Sequence, residues 1–292
     1  MIGTDLRAIP KLAAVDLDGT LLGPSGQISP KNLRAVQRLQ AAGTQVVLAS
    51  GRHFISMQKY TDALPSMQWV ISCQGGDVSS ARRDLVLSRT FLPATHFREV
   101  FELGCSMGLT SLAYSVDGVY TVPGQSSGLD FYTNLAGYSP RQVQAREFLD
   151  LPIFKIIWIT ETEADLDKVL GQMDPVTARL QIVRTHKRLL EFMPIGVSKG
   201  SALKILAERL AVRPAEVVTF GDGDNDVPMF EWSGLSVAMP HGWPAAIRQA
   251  THTAPPGPPE TAFARGVDMI FDTILNPAGG RTVELLSTGR TG

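Results

Sequence analysis

Asp16 and Asp18 stand two residues apart in the run Asp16-Leu17-Asp18-Gly19-Thr20, directly after the apolar stretch Leu12 to Val15. Two carboxylates about 4 Å apart at an effective dielectric near 20 repel by roughly 4 kcal/mol, so a cation is expected beside them. Magnesium meets that need, because it takes oxygen ligands and leaves room for waters and a substrate phosphate. Taken alone, the pair could equally make turn contacts ahead of Gly19. A second acid cluster, Gly221-Asp222-Gly223-Asp224-Asn225-Asp226, follows the apolar run Val217 to Phe220. A calcium loop counted from Asp222 would need Gly at its sixth place and an acid at its twelfth, and Val227 and Ser233 stand there instead. The spacing favours Asp222 as a direct metal ligand and Asp226, one turn on, as a partner that orients the metal's surroundings.

Two more positions could serve a phosphate. Ser50 follows an apolar run and precedes Gly51, so its hydroxyl and the neighbouring N–H groups could receive phosphate oxygens; a plain turn would look the same. Lys199 falls in the first turn of an expected helix, where the macrodipole disfavours a cation by a few tenths of a kcal/mol up to about 1. That local cost suggests a use elsewhere, although a solvated surface lysine is the simpler fate. His53 and His241 lie close to these loops and read as hydrogen-bonded structural residues. Arg52 could pair with an acid or with substrate. Phe131, Tyr132 and Trp158 read as packing residues by default.

The elements that must position these groups follow a strand, helix, strand grammar. Leu12 to Val15 is a short buried strand that ends at the first acids. Ser29-Pro30 offers a cap and a first helical residue, Leu33, Val36 and Leu39 give the apolar face, and Gly43 can close the helix. Val46 to Ala49 is the next strand, and the order implies a right-handed crossover in a parallel sheet. Ser198, with Leu203, Leu206 and Leu210, predicts a helix that leads to the strand Val217 to Phe220. Ligands of such sheets bind beyond the carboxyl ends of the strands, so the three loops are expected to share one crevice. In between, the pattern shifts to a helix around His96 to Cys105, strands near Thr110 to Tyr114 and Val119 to Val122 joined at Asp117-Gly118, a strand Ile153 to Thr160, a helix near Ala164 to Met173, and strands near Leu180 to Val183 and Arg188 to Phe192. This predicts an inserted α+β domain over about residues 87 to 191. Thr253 to Pro259 reads as a Pro-rich rigid loop and Asn276 to Gly292 as a frayed tail.

The bulk composition narrows the classes. Over 292 residues, 44% hydrophobic and 19% charged content allows a substantial core. Lys and Arg number 27 against 28 Asp and Glu, which leaves no basic field for nucleic acid or an anionic membrane. Cys73 and Cys105 are too few for a disulfide framework and lack zinc spacing, so both are expected to be reduced, buried thiols. Met1 to Pro10 lacks the apolar region of a secretory signal, and the most apolar stretch, broken by Lys155, is shorter than the roughly 20 residues that span a bilayer. A cytoplasmic protein with no leader is expected; no feature fixes an oligomeric state.

In order along the chain, Asp16-Leu17-Asp18-Gly19-Thr20, Ser50, Lys199 and Gly221-Asp222 to Asp226 resemble the four motifs of the haloacid dehalogenase (HAD) superfamily. Closer still, Ala49-Ser50-Gly51-Arg52, Val197-Ser198-Lys199-Gly200 with Ala202-Leu203, and the Asp222 cluster with Met229 resemble the Cof-type subfamily, IIB, whose members carry a C2 cap between the second and third motifs. The resemblance implies a Rossmann-like doubly wound parallel sheet core of α/β class over residues 1–86 and 192–292, with the inserted α+β cap over 87–191. It implies Mg²⁺-dependent hydrolysis of a phosphate monoester of a small metabolite, such as a sugar phosphate. Asp16 would be the nucleophile that forms an aspartyl-phosphate, and Asp18 the acid and base. Mg²⁺ would be held by the Asp16 carboxylate, the Asp18 backbone carbonyl and Asp222, with Asp226 orienting a metal-bound water. Ser50, Lys199 and Asn225 would bind the phosphate oxygens. Gln74-Gly75-Gly76 replaces the usual Asn-Gly-Ala, and Pro240-His241-Gly242 follows Val237-Ala238-Met239 where Asn-Ala is usual; these departures bear on substrate identity. A sugar phosphomutase with the same nucleophile, or a non-enzymatic sensor of a phosphorylated metabolite, would use the same crevice. A glycosyltransferase with an Asp-x-Asp metal site would leave Lys199 and the Asp222 cluster unexplained.

Overall fold

Short apolar runs and capped amphipathic segments alternate along the chain, and each finds its place in the computed structural model, which describes residues 9–64, 66–171 and 179–275. The first part contains β1 (Leu12–Val15), α1 (Pro30–Ala41), β2 (Gln45–Ala49), α2 (Phe54–Ala63), β3 (Trp69–Ser72), β4 (Asp77–Ser80) and β5 (Val86–Arg89). Next come α3 (Ala94–Ser106), β6 (Thr110–Ser115), β7 (Val119–Thr121), α4 (Leu129–Ala136), β8 (Arg141–Gln142), β9 (Ile153–Ile159), α5 (Glu163–Leu170), β10 (Gln181–His186) and β11 (Leu189–Met193). The last part holds α6 (Lys199–Arg209), β12 (Val217–Gly221), α7 (Val227–Trp232), β13 (Leu235–Ala238), α8 (Pro244–Gln249), β14 (His252–Thr253) and α9 (Ala262–Leu275).

Among the described residues the large sheet has the order β14-β13-β12-β1-β2-β3-β4-β5. Its strands are parallel from β14 to β3, and β4 and β5 continue it as an antiparallel hairpin. All four residues of β1 are buried because helices cover both faces. Ala13 and Val15 pack with Val36 and Leu39 of α1 and with Phe263 and Val267 of α9. Leu12 and Ala14 pack with Leu203 and Leu206 of α6 on the opposite face. This is the expected Rossmann-like, doubly wound α/β arrangement. The strand order turns about β1, with β2 on one side and β12 on the other, so the crevice beyond their carboxyl ends lies where such folds bind ligands.

Local signals act as expected at the helix starts. Ser29 caps α1, its hydroxyl accepting the Asn32 N–H at 3.2 Å. Ser198 caps α6 by accepting the Ser201 N–H at 3.0 Å, while the Ser201 hydroxyl accepts the Ser198 N–H at 2.9 Å.

The second sheet, β10-β11-β9-β6-β7-β8, is antiparallel apart from its β7–β8 pair, and all its strands come from the stretch between Thr110 and Met193. One face packs Ile156 and Trp158 against α3 and α5; the other carries Ile157, Leu189 and the α4 residue Tyr132, and meets Cys73 of the large-sheet unit. The large sheet runs to Arg89 and the second sheet to Met193, a little beyond the expected junctions at 86/87 and 191/192. Cys73 is buried as expected, whereas Cys105 is only partly covered, and both are free thiols. Among the described residues no helix is long and apolar enough to cross a membrane. Residues 1–8, Gln172 and Met173 of the helix expected near Ala164 to Met173, and the expected tail from Asn276 to Gly292 lie outside the described residues.

Candidate active site

Asp16 follows β1 directly and is nearly buried, its N–H donating to the Phe220 carbonyl of β12 at 2.9 Å. That bond stitches the two acid loops together. Lys199, fully buried at the first position of α6, donates to Asp16 Oδ1 and to Asp226 Oδ1, each at 2.6 Å. The other oxygen of Asp226 accepts the N–H groups of Asp222 and Gly223 at 3.0 and 2.9 Å, so both oxygens of this carboxylate have protein partners. Asp16 Oδ2 is buried and has no protein partner. Carboxylate oxygens of Asp16, Asp222 and Asp226 lie within 4.8 Å of one another, a grouping that could hold a metal ion. A carboxylate grouped with two further acids, and with one buried oxygen unpartnered, fits a hard divalent cation.

The backbone is shaped for this closeness. Gly19 has φ +79°, and a Cβ there would come 2.4 Å from Asp222 Oδ2, so only glycine allows the two loops to meet. Thr20 donates to Asp222 Oδ1 at 3.3 Å. His241 contacts the Gly19 carbonyl at 2.8 Å and Trp243 N–H donates to the Asp222 carbonyl at 2.7 Å, which makes the loop after β13 a buttress of both acid loops.

Burial and then the Asp226 carboxylate push the Asp16 carboxyl well up, with Lys199 working the other way. Burial alone would lower the Lys199 ammonium, but Asp16 and Asp226 outweigh it and raise it above the ordinary lysine range. Asp222 is held up to about 7 by burial and by Asp226. A cation must displace that proton, and the carboxylate is the form that binds it. The apparent affinity for a divalent cation is therefore expected to fall with decreasing pH as the raised Asp222 and Asp16 carboxyls take up protons, by up to about tenfold per unit for each competing proton. Calorimetric titration of the protein with Mg²⁺ between pH 5.5 and 8.5, each figure a rough bracket of that range, reads this directly, and a flat profile would contradict it.

Ser50, at the end of β2, is buried, and its hydroxyl accepts the Arg52 N–H at 3.1 Å. Asn225 donates to the Gln74 side-chain carbonyl at 3.1 Å. Gln74 itself (φ +60°) and Cys73 (φ +53°) are consecutive non-glycine residues in the left-handed region. They are held there by the Ser50 carbonyl, which accepts the Gln74 N–H at 3.1 Å, and the Arg52 carbonyl, which accepts the Cys73 N–H at 2.8 Å. The Gln74 amide lies so close over Gly51 that a Cβ at 51 would stand 2.4 Å from its nitrogen.

Asp18 sits apart from the acid cluster. Its carboxylate is partly exposed and takes a two-pronged bond from Arg52, Nε to Oδ2 at 2.7 Å and Nη2 to Oδ1 at 2.6 Å. The remaining Arg52 donors reach the carbonyls of Ala136 and Leu135 at the end of α4, at 2.5 and 2.8 Å. Burial would lower the guanidinium, yet Asp18 holds it above its ordinary value. His53 is buried, pushed down to about 4 by burial, and contacts the Ser115 carbonyl at 2.7 Å. As expected it is structural, but what it joins is the two sheets.

A cavity of about 400 Å³ opens above these groups. Asp16, Asp18, Asp222 and Asn225 line its floor, and Tyr114, Tyr132, Ile157, Thr185, His186 and Glu191 of the second sheet and α4 line its roof. Ser50, Lys199 and Asp226 are buried beneath it. All seven residues singled out for the chemistry thus converge on one place. Of the three aromatic residues read as packing, Tyr132 reaches the cavity, whereas Trp158 is buried behind the second sheet. The roof residues carry no motif in the sequence.

A doubly wound core with acids, a buried lysine and a hydroxyl loop at its strand ends, roofed by a second sheet, is the architecture of a phosphate-ester hydrolase. The sequence profile of haloacid dehalogenase-like hydrolases matches residues 13–257. The chain belongs to this family, as its Cof-type motifs implied, and is a HAD phosphatase, a phosphoric monoester hydrolase. The HMP-PP phosphatase of Serratia proteamaculans is 29% identical over 237 residues, 80% of this chain and 85% of that protein. The 5-amino-6-(5-phospho-D-ribitylamino)uracil phosphatase YcsE of Bacillus subtilis is 25% identical over 229 residues, 78% of this chain and 83% of its own. A solved haloacid dehalogenase-like hydrolase from Bacteroides thetaiotaomicron shares the fold with a TM-score of 0.80 at 24% identity, covering 90% of this chain and 100% of that one.

Proposed function

We propose that this phosphatase is magnesium-dependent and hydrolyses the phosphate monoester of a small metabolite, a sugar phosphate or a compound of similar size, through an aspartyl-phosphate on Asp16. The observation that carries this reading is the Asp16 carboxylate: one oxygen rests on the buried Lys199, the other is buried with no protein partner, and the group lies within 4.8 Å of the Asp222 and Asp226 carboxylates. Asp16 attacks phosphorus as the bond to the leaving oxygen breaks, and Asp18 supplies that oxygen with a proton. Asp18, then ionised, takes a proton from the water that attacks the aspartyl-phosphate; phosphate leaves and Asp16 is restored. Asp16, Asp222 and the Asp18 carbonyl would hold Mg²⁺, with Asp226 orienting its surroundings, and the bound ion would supply positive charge against the phosphate. Ser50, Lys199 and Asn225 bind the non-bridging oxygens.

The second sheet with its helices acts as the inserted cap, over about residues 87 to 191, and its roof residues choose the leaving group. A cavity of about 400 Å³ suits one small molecule, and relatives that are phosphatases of HMP-PP and of 5-amino-6-(5-phospho-D-ribitylamino)uracil support that scale. The test is phosphate release from a panel of phosphorylated metabolites with Mg²⁺ and with a chelator. Release that requires Mg²⁺ is expected. A phosphate moved within a sugar, with none set free, would favour the mutase, and binding of a panel member without release would favour the sensor.

A further inference from the structure

Lys155 is the only charged residue in the run Ile153–Ile159, is fully buried, and has no part in the chemistry above. Across the β6–β9 pair, Tyr114 faces Lys155 and Ser115 faces Ile153, so Phe154 has no partner and forms a bulge. Bulges re-aim the side chains beside them. Lys155 Nζ donates to Glu191 Oε2 and, across the junction of the two sheets, to the Gly51 carbonyl, each at 2.6 Å, and stands 4.5 Å from the centre of the Tyr114 ring. Thr185 donates to the other Glu191 oxygen at 2.7 Å.

The Gly51 carbonyl is the middle one of three in the loop that carries Ser50. Its neighbours, the Ser50 and Arg52 carbonyls, accept N–H groups from Gln74 and Cys73, which belong to the same large-sheet unit. The donor to Gly51 comes from the second sheet. A buried ion pair is a weak source of stability, and an apolar pair of similar size would pack as well. What an apolar pair lacks is a donor for the Gly51 carbonyl.

We propose that Lys155 is a positioning residue: it fixes the Gly51 carbonyl, and so the Gly51–Arg52 peptide whose N–H donates to the Ser50 hydroxyl, which makes the shape of the phosphate loop depend on the second sheet being in place. This rests on the reading of Ser50 as a phosphate-binding hydroxyl. The Ser50 hydroxyl already accepts the Arg52 N–H, which leaves its own proton for a phosphate oxygen.

The test is a cycle of variants of the full chain with Mg²⁺, read by p-nitrophenyl phosphate turnover and by inhibition with orthophosphate. Lys155→Met/Glu191→Gln removes both charges and keeps an acceptor for Thr185. It is expected to lower kcat by about 30-fold and weaken orthophosphate inhibition by about tenfold. In a Ser50→Ala background the same two changes are expected to cost less than about threefold more, because the lysine acts through that loop. If the methionine variant does not fold, Lys155→Gln/Glu191→Gln, which retains a neutral buried donor, replaces it with the loss expected to be smaller but equally absent in the Ser50→Ala background. Unchanged kcat and inhibition, or a full loss added on top of Ser50→Ala, would overturn the proposal while leaving the phosphatase reading intact. A silent Ser50→Ala would remove the phosphate-binding role of Ser50 and this proposal with it.

Discussion

Asp16→Asn is expected to reduce turnover by about four orders of magnitude or more while leaving the protein folded. The amide keeps the size and polarity of the side chain but cannot attack phosphorus or neutralise a cation. The structure also indicates the direction of the stability change. The Asp16 carboxyl is raised well above its ordinary value by burial and by Asp226, so the folded state holds its ionised form at a cost. A group with a raised carboxyl pKa loses stability as pH rises through it, and a neutral amide is free of that loss. Without Mg²⁺, the melting temperature of the variant at neutral pH is therefore expected to equal or exceed that of the parent. Added Mg²⁺ is expected to raise the parent's melting temperature more than the variant's. Undiminished turnover in the variant would remove Asp16 from the nucleophile's role, and turnover lost together with folding would show only that the site had collapsed.

Lys199→Met is expected to act on both activity and stability. Its ammonium is the group that Asp16 and Asp226 share, each at 2.6 Å and all three buried. Removing the one cation that two buried carboxylates share leaves both uncompensated and costs about 3–5 kcal/mol, whereas loss of Asp16 leaves Lys199 still paired with Asp226. On the proposed role of Lys199 at the transferring phosphoryl group, its loss is expected to lower kcat by a further factor of about 10²–10³ among molecules that remain folded. The pH dependence gives the independent check. With Lys199 gone, nothing offsets the rise of the Asp16 carboxyl, which then keeps its proton to higher pH in the folded state than in the unfolded one. The destabilisation should be small in acid and grow as pH rises through that range. Urea unfolding of both proteins at mildly acidic and at neutral pH measures this, and a pH-independent difference would mean that the lysine contributes packing alone.

The legible part of this molecule is the part in which chemistry follows directly on a strand. Leu12 to Val15, Val46 to Ala49 and Val217 to Phe220 are continuous apolar runs, so their strands and the polar residues just past them could be read locally. Lys199 was legible for a different reason, its poor fit to the first turn of a helix. The roof of the cavity was not. Tyr114, Ile157 and Glu191 sit in strands where a core residue and a cavity residue have the same local pattern, and only the pairing of β6, β9 and β11 separates them. Arg52 shows the same limit. Its guanidinium joins Asp18 to carbonyls more than 80 positions away, at Leu135 and Ala136, and backbone carbonyls leave no trace in residue type. Lys155 does leave a trace, as a charge that breaks an apolar strand, but its partner Gly51 lies 104 positions away. The β4–β5 hairpin, with its serines and Arg89, lacks the apolar run that marked the other strands of the large sheet.

Cys73 and Gln74 carry a last consequence. Each non-glycine residue in the left-handed region costs about 1 kcal/mol or more, and here two stand in succession where the Gln74 amide meets Asn225. Glycine at either position would relieve that cost, but at position 73 it would also remove a side chain buried in the core between the two sheets. At position 74 it would also delete the amide that holds Asn225 over the crevice. At this turn, relief of backbone strain and the contact to Asn225 pull in opposite directions.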